Sequence, residues 1–267
     1  MLGSAGVCTL IALHRVHRQY PLVVAANRDE LYARRTSPAQ LLLASPPVLG
    51  GRDDEKGGTW LGATAGGLFV GLTNQRSAAP PLPSARSRGE VVLGALATDQ
   101  LDGALAFVDA LEAREYSPFN LFLGDAHRLF VAYGRPEARR VERLELEPGI
   151  YALPNDKLGS TSFPKIDRAA LLAAPLVELD WDELVPRAQA MLADHDVPPE
   201  ERIPRDHPPW IPDEQAKQLQ ALCVHTPIYG TRSATLLAAD HTGLQHFLYA
   251  DGPPCQATLI EQIDRLR

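Results

Sequence analysis

The chain has 267 residues, 45% hydrophobic and 22% charged, with 20 Gly and 23 Pro. This composition excludes collagen-like, fibrous and wholly disordered chains and allows a large buried core. The formal net charge is −7 and no long block of Lys or Arg occurs, which argues against nucleic acid as a partner, because such affinity draws on a basic surface.

No apolar run is long enough to span a bilayer, and the first residues lack the basic start and apolar core of a secretory signal. Three cysteines, at 8, 223 and 255, are too few for a stapled secreted scaffold, so a reducing, cytoplasmic home is expected. Only Lys56, Lys157, Lys165 and Lys217 stand among 26 basic residues, which together with abundant Ala, Gly, Pro and Arg suggests a GC-rich, bacterial coding genome.

Residues 8–13 and 22–26 are short apolar runs without strict alternation, the pattern of strands covered on both faces. The second is expected to stop at Asn27-Arg28-Asp29-Glu30. A Pro-rich connection through Pro46-Pro47 leads to Gly57-Gly58-Thr59-Trp60-Leu61-Gly62, and the run 68–73 after Ala65-Gly66-Gly67 completes a β-hairpin pattern. Residues 78–83 read as a loop and 88–97 as a helix. Asp99 and Asp102 resemble a reciprocal cap for an amphipathic helix whose face carries Leu101, Ala104, Leu105, Val108 and Leu111.

Strands are predicted at 120–123 and 128–133, then at 140–146 and 150–153, the last two meeting at Pro148-Gly149. Pro164 suits the first turn of a helix ending near Ala173. Asp180 and Glu183 mark another, with a stripe of Trp181, Leu184, Val185, Ala188, Met191 and Leu192, and Pro186 weakens its start. The polar, Pro-rich stretch 195–212 reads as a flap, 214–224 as a third helix, and 235–239 and 244–249 as closing strands around a turn, with one more near the end. Hairpin-like links outnumber crossovers, so antiparallel sheets with helices packed outside them are expected, in a single domain over 8–267.

Phosphate-loop, zincin and dinucleotide-binding patterns are absent. The eight histidines are scattered, so no metal or other cofactor is expected. Cys8 has two readings. It is either a small core hydrophobe, or a nucleophile whose own α-amine, with a pKa of about 7.7–8.0, takes the thiol proton. The second reading requires residues 1–7 to be absent from the mature chain, by self-cleavage after Val7 or, as the preferred route, because translation starts at a GUG codon for residue 7.

Arg28 and Asp29 are either a surface ion pair in a turn or, because two short strands bring residue 28 near residue 8, assistants to that thiol. Trp60 reads as a core or pocket-wall side chain, with Gly57 and Gly58 permitting close approach to it. Asn74 and Asn155 each end an apolar strand, as turn formers or as donors to developing negative charge. Cys223 reads as packing in a helical stripe, and Cys255 carries no assigned role.

Cys8-Thr9-Leu10-Ile11, Asn27-Arg28-Asp29-Glu30, Gly57-Gly58-Thr59-Trp60-Leu61-Gly62, Leu72-Thr73-Asn74 and Tyr229-Gly230-Thr231-Arg232-Ser233, in that order, closely resemble the NRDE family, also called the transport and Golgi organisation 2 (TANGO2-like) family. The resemblance spans nearly the whole chain. It implies an α+β fold, a four-layer αββα sandwich of N-terminal-nucleophile hydrolase type with mostly antiparallel sheets, distantly related to cysteine amidases. It further implies Cys8 as nucleophile, Arg28 and Asp29 as its assistants, Asn74 and Asn155 as oxyanion donors and Arg232 as a late arginine at the pocket.

Two functions follow as expectations. One is hydrolysis of a non-peptide C–N amide or related acyl bond of a small molecule. The other is binding of lipid, acyl-CoA or haem on the same scaffold, which rests on family resemblance alone, since no His or Cys reads as a haem ligand.

Overall fold

The computed structural model describes residues 8–75, 85–203 and 212–266. In strand β1 (Thr9–His14) Leu10 and Ala12 point to one side and Ile11 and Leu13 to the other, and every residue is buried. Strand β2 (Leu22–Leu31) alternates in the same way. Apolar side chains on both faces of one strand require cover on both faces, and that requirement produces the layers.

In chain order there follow β3 (Thr36–Ala44), β4 (Pro47–Asp53), β5 (Leu61–Thr64), β6 (Phe69–Asn74), α1 (Arg88–Leu96), α2 (Leu101–Ala110), β7 (Phe119–Gly124), β8 (Leu129–Gly134) and β9 (Glu142–Leu146). After these come β10 (Gly149–Leu153), α3 (Lys165–Ala173), α4 (Trp181–Leu192), α5 (Asp213–Gln218), β11 (Tyr229–Asp240), β12 (Gly243–Ala250) and β13 (Ile260–Glu261). One antiparallel sheet has the order β10-β1-β2-β11-β12-β13, and the other β3-β4-β5-β6-β7-β8-β9.

Leu10, Val24, Leu61, Phe69, Phe122 and Phe247 fill the space between the sheets. Helices α1 and α2 cover the outer face of the second sheet through Val92, Leu96, Leu105 and Val108. Helices α3 and α4 cover the first through Ala169, Leu184, Ala188 and Leu192. The chain is therefore an α+β, four-layer αββα sandwich. Among the described residues no helix is long and apolar enough to cross a membrane.

Several sequence expectations need correction. Strand β2 does not stop at Asn27: it runs through Asn27-Arg28-Asp29-Glu30 because β11, twelve residues long, pairs with it as far as Leu31. The Pro46-Pro47 connection is the turn of the β3–β4 hairpin. Strands β9 and β10 do not pair: β9 edges the second sheet and β10 the first, so Pro148-Gly149 lies at a passage between sheets. Helix α2 starts after Gln100 without a side-chain cap among the described residues, while Asp99 takes φ 61° and Asp102 pairs with Arg128.

The third expected helix ends at Gln218, because the chain then turns so that the Leu222 carbonyl meets Asn27 and His225 bridges Gly230. The expected loop at 78–83 and residues 1–7 lie outside the described residues, as does 204–211 of the expected flap, whose start contains a short 3₁₀ turn at Glu200–Arg202.

Candidate functional site

Thr9 pairs with Asn27 across β1 and β2, so Cys8, one step further, comes level with Arg28. The alternation that sends Leu10, Ala12, Val24 and Ala26 between the sheets gives Cys8 and Arg28 that same side. On the other flank of β2, Asp29 pairs with Thr231 and Arg28 with Ser233, and the bulge between them holds Arg232. The strand continuation thus seats the motif in the interior of a sheet rather than in a turn.

The helix side of β2 carries buried polar groups at Asn27 and Asp29. Asn27 Nδ2 donates to the carbonyls of Leu192 at 2.7 Å and Leu222 at 2.9 Å. Thr231 Oγ1 donates to Asp29 Oδ1 at 2.6 Å. Asp29 is 1% exposed, and burial pushes its carboxyl up to about 7 against the opposing pull of Lys165, the Thr231 hydrogen bond and Arg28. Lys165, in the first turn of α3, is also 1% exposed, and its Nζ finds no hydrogen-bond partner among the described residues. Burial lowers its pKa, while Asp29 and Cys8 act to raise it.

The Cys8 thiol donates to the Asp29 carbonyl across 3.8 Å. Burial, then the Asp29 charge, push it up to about 12, opposed by that hydrogen bond and by Arg28. As an amide-linked residue, Cys8 is therefore a protonated thiol at neutral pH.

Between the sheets, the Arg28 guanidinium lies 4.2 Å from the centre of the Trp60 ring, and its Nη2 is 3.8 Å from Glu30 Oε2. The indole can approach β4 this closely because residue 51 is glycine: a Cβ there would sit 2.3 Å from Trp60 Cζ2. The close approach at Gly58 is to Gly89, not to Trp60, since a Cβ on Gly58 would meet the Gly89 carbonyl carbon at 2.4 Å. Arg88, next to that crossing, donates to the Pro118 carbonyl at 3.2 Å. Burial brings its pKa down to about 10, against the charges of Glu30 and Cys8.

Asn155 Nδ2 donates to the Asn74 carbonyl at 2.5 Å, which joins the end of β6 to the chain after β10. Beside it, Asn120 Nδ2 lies within bonding distance of Thr73 Oγ1 (3.0 Å) and the carbonyls of Pro154 (3.2 Å) and Asp156 (3.1 Å). Thr73 Oγ1 itself donates to the Pro154 carbonyl at 2.8 Å. These groups clip one sheet to the other. Arg232 is tied to the end of β2: its Nη1 donates to the carbonyls of Tyr32 at 2.5 Å and Leu31 at 3.4 Å. A cavity of about 200 Å³ opens over α3, lined by Lys165, Arg168 and Gln220 but not by Cys8 or Arg28.

The structure therefore brings Cys8, Arg28, Asp29 and Trp60 together, joins Asn74 to Asn155, and fixes Arg232 on the β2 backbone. Sequence reasoning missed Lys165, Arg88, Thr231 and Asn120. Lys165 carried a readable signal, because with Ala169 and Ala173 it occupies the buried stripe of α3. Thr231 stood inside the Tyr229–Ser233 block without a role of its own, while Arg88 and Asn120 gave no signal, since their partners are distant in sequence.

The structural comparison finds the same fold in a conjugated bile acid hydrolase from Clostridium perfringens. The match has a TM-score of 0.57 over 96% of this chain and 93% of that one, at 11% identity. A variant of the same hydrolase matches with a TM-score of 0.56. Among curated proteins, the Transport and Golgi organization protein 2 homologs of Bos taurus and Homo sapiens are each 33% identical, over 237 and 246 residues, with 84% of both chains covered. The Drosophila melanogaster Transport and Golgi organization protein 2 is 26% identical over 256 residues, covering 86% of this chain and 85% of its own. With the family model matching residues 7–250 and these relatives spanning most of their own length, the chain belongs to the Transport and Golgi organisation 2 family.

Proposed function

We propose that the protein is a cysteine N-terminal-nucleophile hydrolase that cleaves a non-peptide C–N amide, or a related acyl bond, of a small molecule. The observation that carries this reading is Cys8 at the head of a central strand, beside Arg28 and Asp29, in a fold shared with a hydrolase of conjugated bile acids. In the mature chain residues 1–7 are absent, and the freed α-amine of Cys8 accepts the thiol proton. The sulfur attacks the carbonyl carbon, and the amine then returns the proton to the leaving nitrogen as the C–N bond breaks. Water opens the resulting thioester, giving one proton to the amine, and the departing sulfur takes it back.

Asn74 and Asn155, joined to each other at the ends of β6 and β10, would serve as the oxyanion donors, and loss of one good donor costs about 3 kcal/mol at the transition state. Arg28, pinned on Trp60 and Glu30, supplies a fixed positive charge on the thiol's side of the sheet. Asp29, tied to Thr231, would orient the α-ammonium.

The thiol of the amide-linked form, pushed up to about 12, favours a second reading. If residues 1–7 persist, the scaffold binds a lipid, acyl-CoA or haem without turnover. Intact-mass measurement and a thiol-directed acylating probe separate the two. The hydrolase reading expects a mature chain beginning at Cys8, selective labelling of that residue, and loss of turnover in Cys8→Ala. A working protein that retains Met1, with an unlabelled Cys8, refutes it.

A further inference from the structure

Beyond the acyl-transfer site lies a second group of side chains. Cys223 does not sit in a helical stripe: it follows the end of α5 in the segment leading to β11. His195 from the turn after α4, Cys223 and His225, and Cys255 from the loop after β12 bring one donor atom each within 4.8 Å of one another. We propose that these four residues bind a single tetrahedral zinc-type cation.

The spacings fit that ion. Zinc–sulfur bonds of about 2.3 Å and zinc–nitrogen bonds of about 2.0 Å give tetrahedron edges of about 3.8 Å between sulfurs and about 3.5 Å between sulfur and nitrogen. Cys223 Sγ is 3.7 Å from Cys255 Sγ and 3.7 Å from His225 Nε2, and His225 Nε2 is 3.3 Å from Cys255 Sγ. The rings of His195 and His225 lie side by side, with centroids 5.1 Å apart. His195 Nδ1 is 3.0 Å from the Cys223 carbonyl, which fixes the tautomer that leaves Nε2 for the metal. A disulfide explains neither imidazole, and it needs the sulfurs at about 2.05 Å.

The surroundings hold the three segments in place before any ion arrives. The Cys223 amide donates to the Asp194 carbonyl at 2.8 Å, and Arg168 Nε and Nη2 hold the Asp194 carboxylate at 3.0 and 2.5 Å. Gln189 Nε2 donates to the carbonyls of Pro254 at 3.0 Å and Ala257 at 3.2 Å, on either side of Cys255. Cys223 is buried while the other three residues are exposed, so an ion can enter from solvent and still gain a buried thiolate.

Binding replaces two S–H protons, which pass to solvent, with two metal–sulfur bonds. Two thiolates and two neutral imidazoles then leave the site without net charge. Four protein ligands fill the coordination sphere, so the site is structural. It clamps the 195 and 255 segments onto the irregular segment that contains Val224, whose amide donates to Thr231 Oγ1, the group that holds Asp29.

The test uses the purified full chain, metal analysis by mass spectrometry and Co²⁺ as the spectroscopic probe. One equivalent of zinc, and a Co²⁺ complex with thiolate charge-transfer and tetrahedral ligand-field bands, are expected. Cys223→Ser, Cys255→Ser and His225→Ala should each weaken Co²⁺ binding by more than about tenfold. Because Cys255 is exposed, its variant should fold. A chelator-stripped wild-type chain should also retain its far-UV spectrum and regain the bands on adding Co²⁺. Absence of stoichiometric metal and of thiolate bands, a native Cys223–Cys255 disulfide, or a Cys255→Ser chain binding as tightly as wild type would overturn the assignment.

Discussion

Replacing Asp29 by Asn tests the electrostatics of the buried Asp29–Lys165 cluster directly. The carboxyl stands at about 7 in the fold against a reference of 3.8, because burial outweighs Lys165, Thr231 and Arg28. A folded pKa above the unfolded one means the native state holds the proton more tightly. That stabilisation is complete below about pH 4 and is lost as pH rises through about 7. At about 1.4 kcal/mol per pH unit the loss is on the order of 4 kcal/mol over that interval. The Asn variant keeps an acceptor for Thr231 Oγ1 but does not titrate.

Lys165 reinforces the effect. Its pKa is already lowered, and removing Asp29 removes a charge that acts to raise it. A depressed lysine gains stability for the fold as pH rises, so both groups move the difference in one direction. Urea unfolding from pH 5 to 8, followed by far-UV circular dichroism and tryptophan emission, should show the variant gaining on wild type. The gain should reach about 1.4 kcal/mol per pH unit at its steepest. A difference that stays flat, or one in which wild type gains as pH rises, would mean an ordinary ion-paired carboxylate and refute the reasoning.

Two further substitutions probe the frame around the thiol. Asn120→Ala removes half of the sheet-to-sheet clip: the Pro154 carbonyl keeps Thr73 Oγ1, but the Asp156 carbonyl loses its Asn120 donor, so urea unfolding should show a loss of about 1–3 kcal/mol with an unchanged m-value. A loss under about 1 kcal/mol would show that the clip is idle. Gly51→Ala drives a Cβ into the Trp60 ring, so a cost of about 1–3 kcal/mol is expected, with a shift in tryptophan emission as the indole leaves Arg28. Unchanged emission and stability would contradict the stacked geometry.

Much of the fold could be read from local pattern. Glycine-bearing turns between apolar arms marked β5–β6, and the turns at 124–128 and 240–243 marked β7–β8 and β11–β12. The double-faced apolar character of β1 and β2 matches their place between a helix layer and a second sheet. Where the reading failed, the deciding partner lay far along the chain. Asn27-Arg28-Asp29-Glu30 looks like a turn because its residues are polar, and only pairing with residues some two hundred positions later makes it a strand. Residues 140–153 look like a hairpin because nothing local says that β10 belongs beside β1. Cys8 and Arg28 stood out by position and motif, whereas His195, Cys223, His225 and Cys255 have no common spacing and meet only through the fold.

The charges around Cys8 give the proposed chemistry a physical reason for depending on a free amino terminus. Arg28 lowers the thiol pKa, but burial and Asp29 dominate, and the sum leaves it near 12. A charge about 4 Å away at an effective dielectric of about 20 is worth about 4 kcal/mol, or about three pH units. An α-ammonium formed on the same residue falls within that distance of Sγ by covalent geometry alone, so it stabilises the thiolate beside it and lowers the thiol pKa from its raised position. The proton then needs to travel only from sulfur to the neighbouring nitrogen, and the transfer creates the attracting ion pair. An amide at the same position supplies neither the charge nor the lone pair, so on the proposed mechanism one bond, between residues 7 and 8, separates an inert buried thiol from a nucleophile.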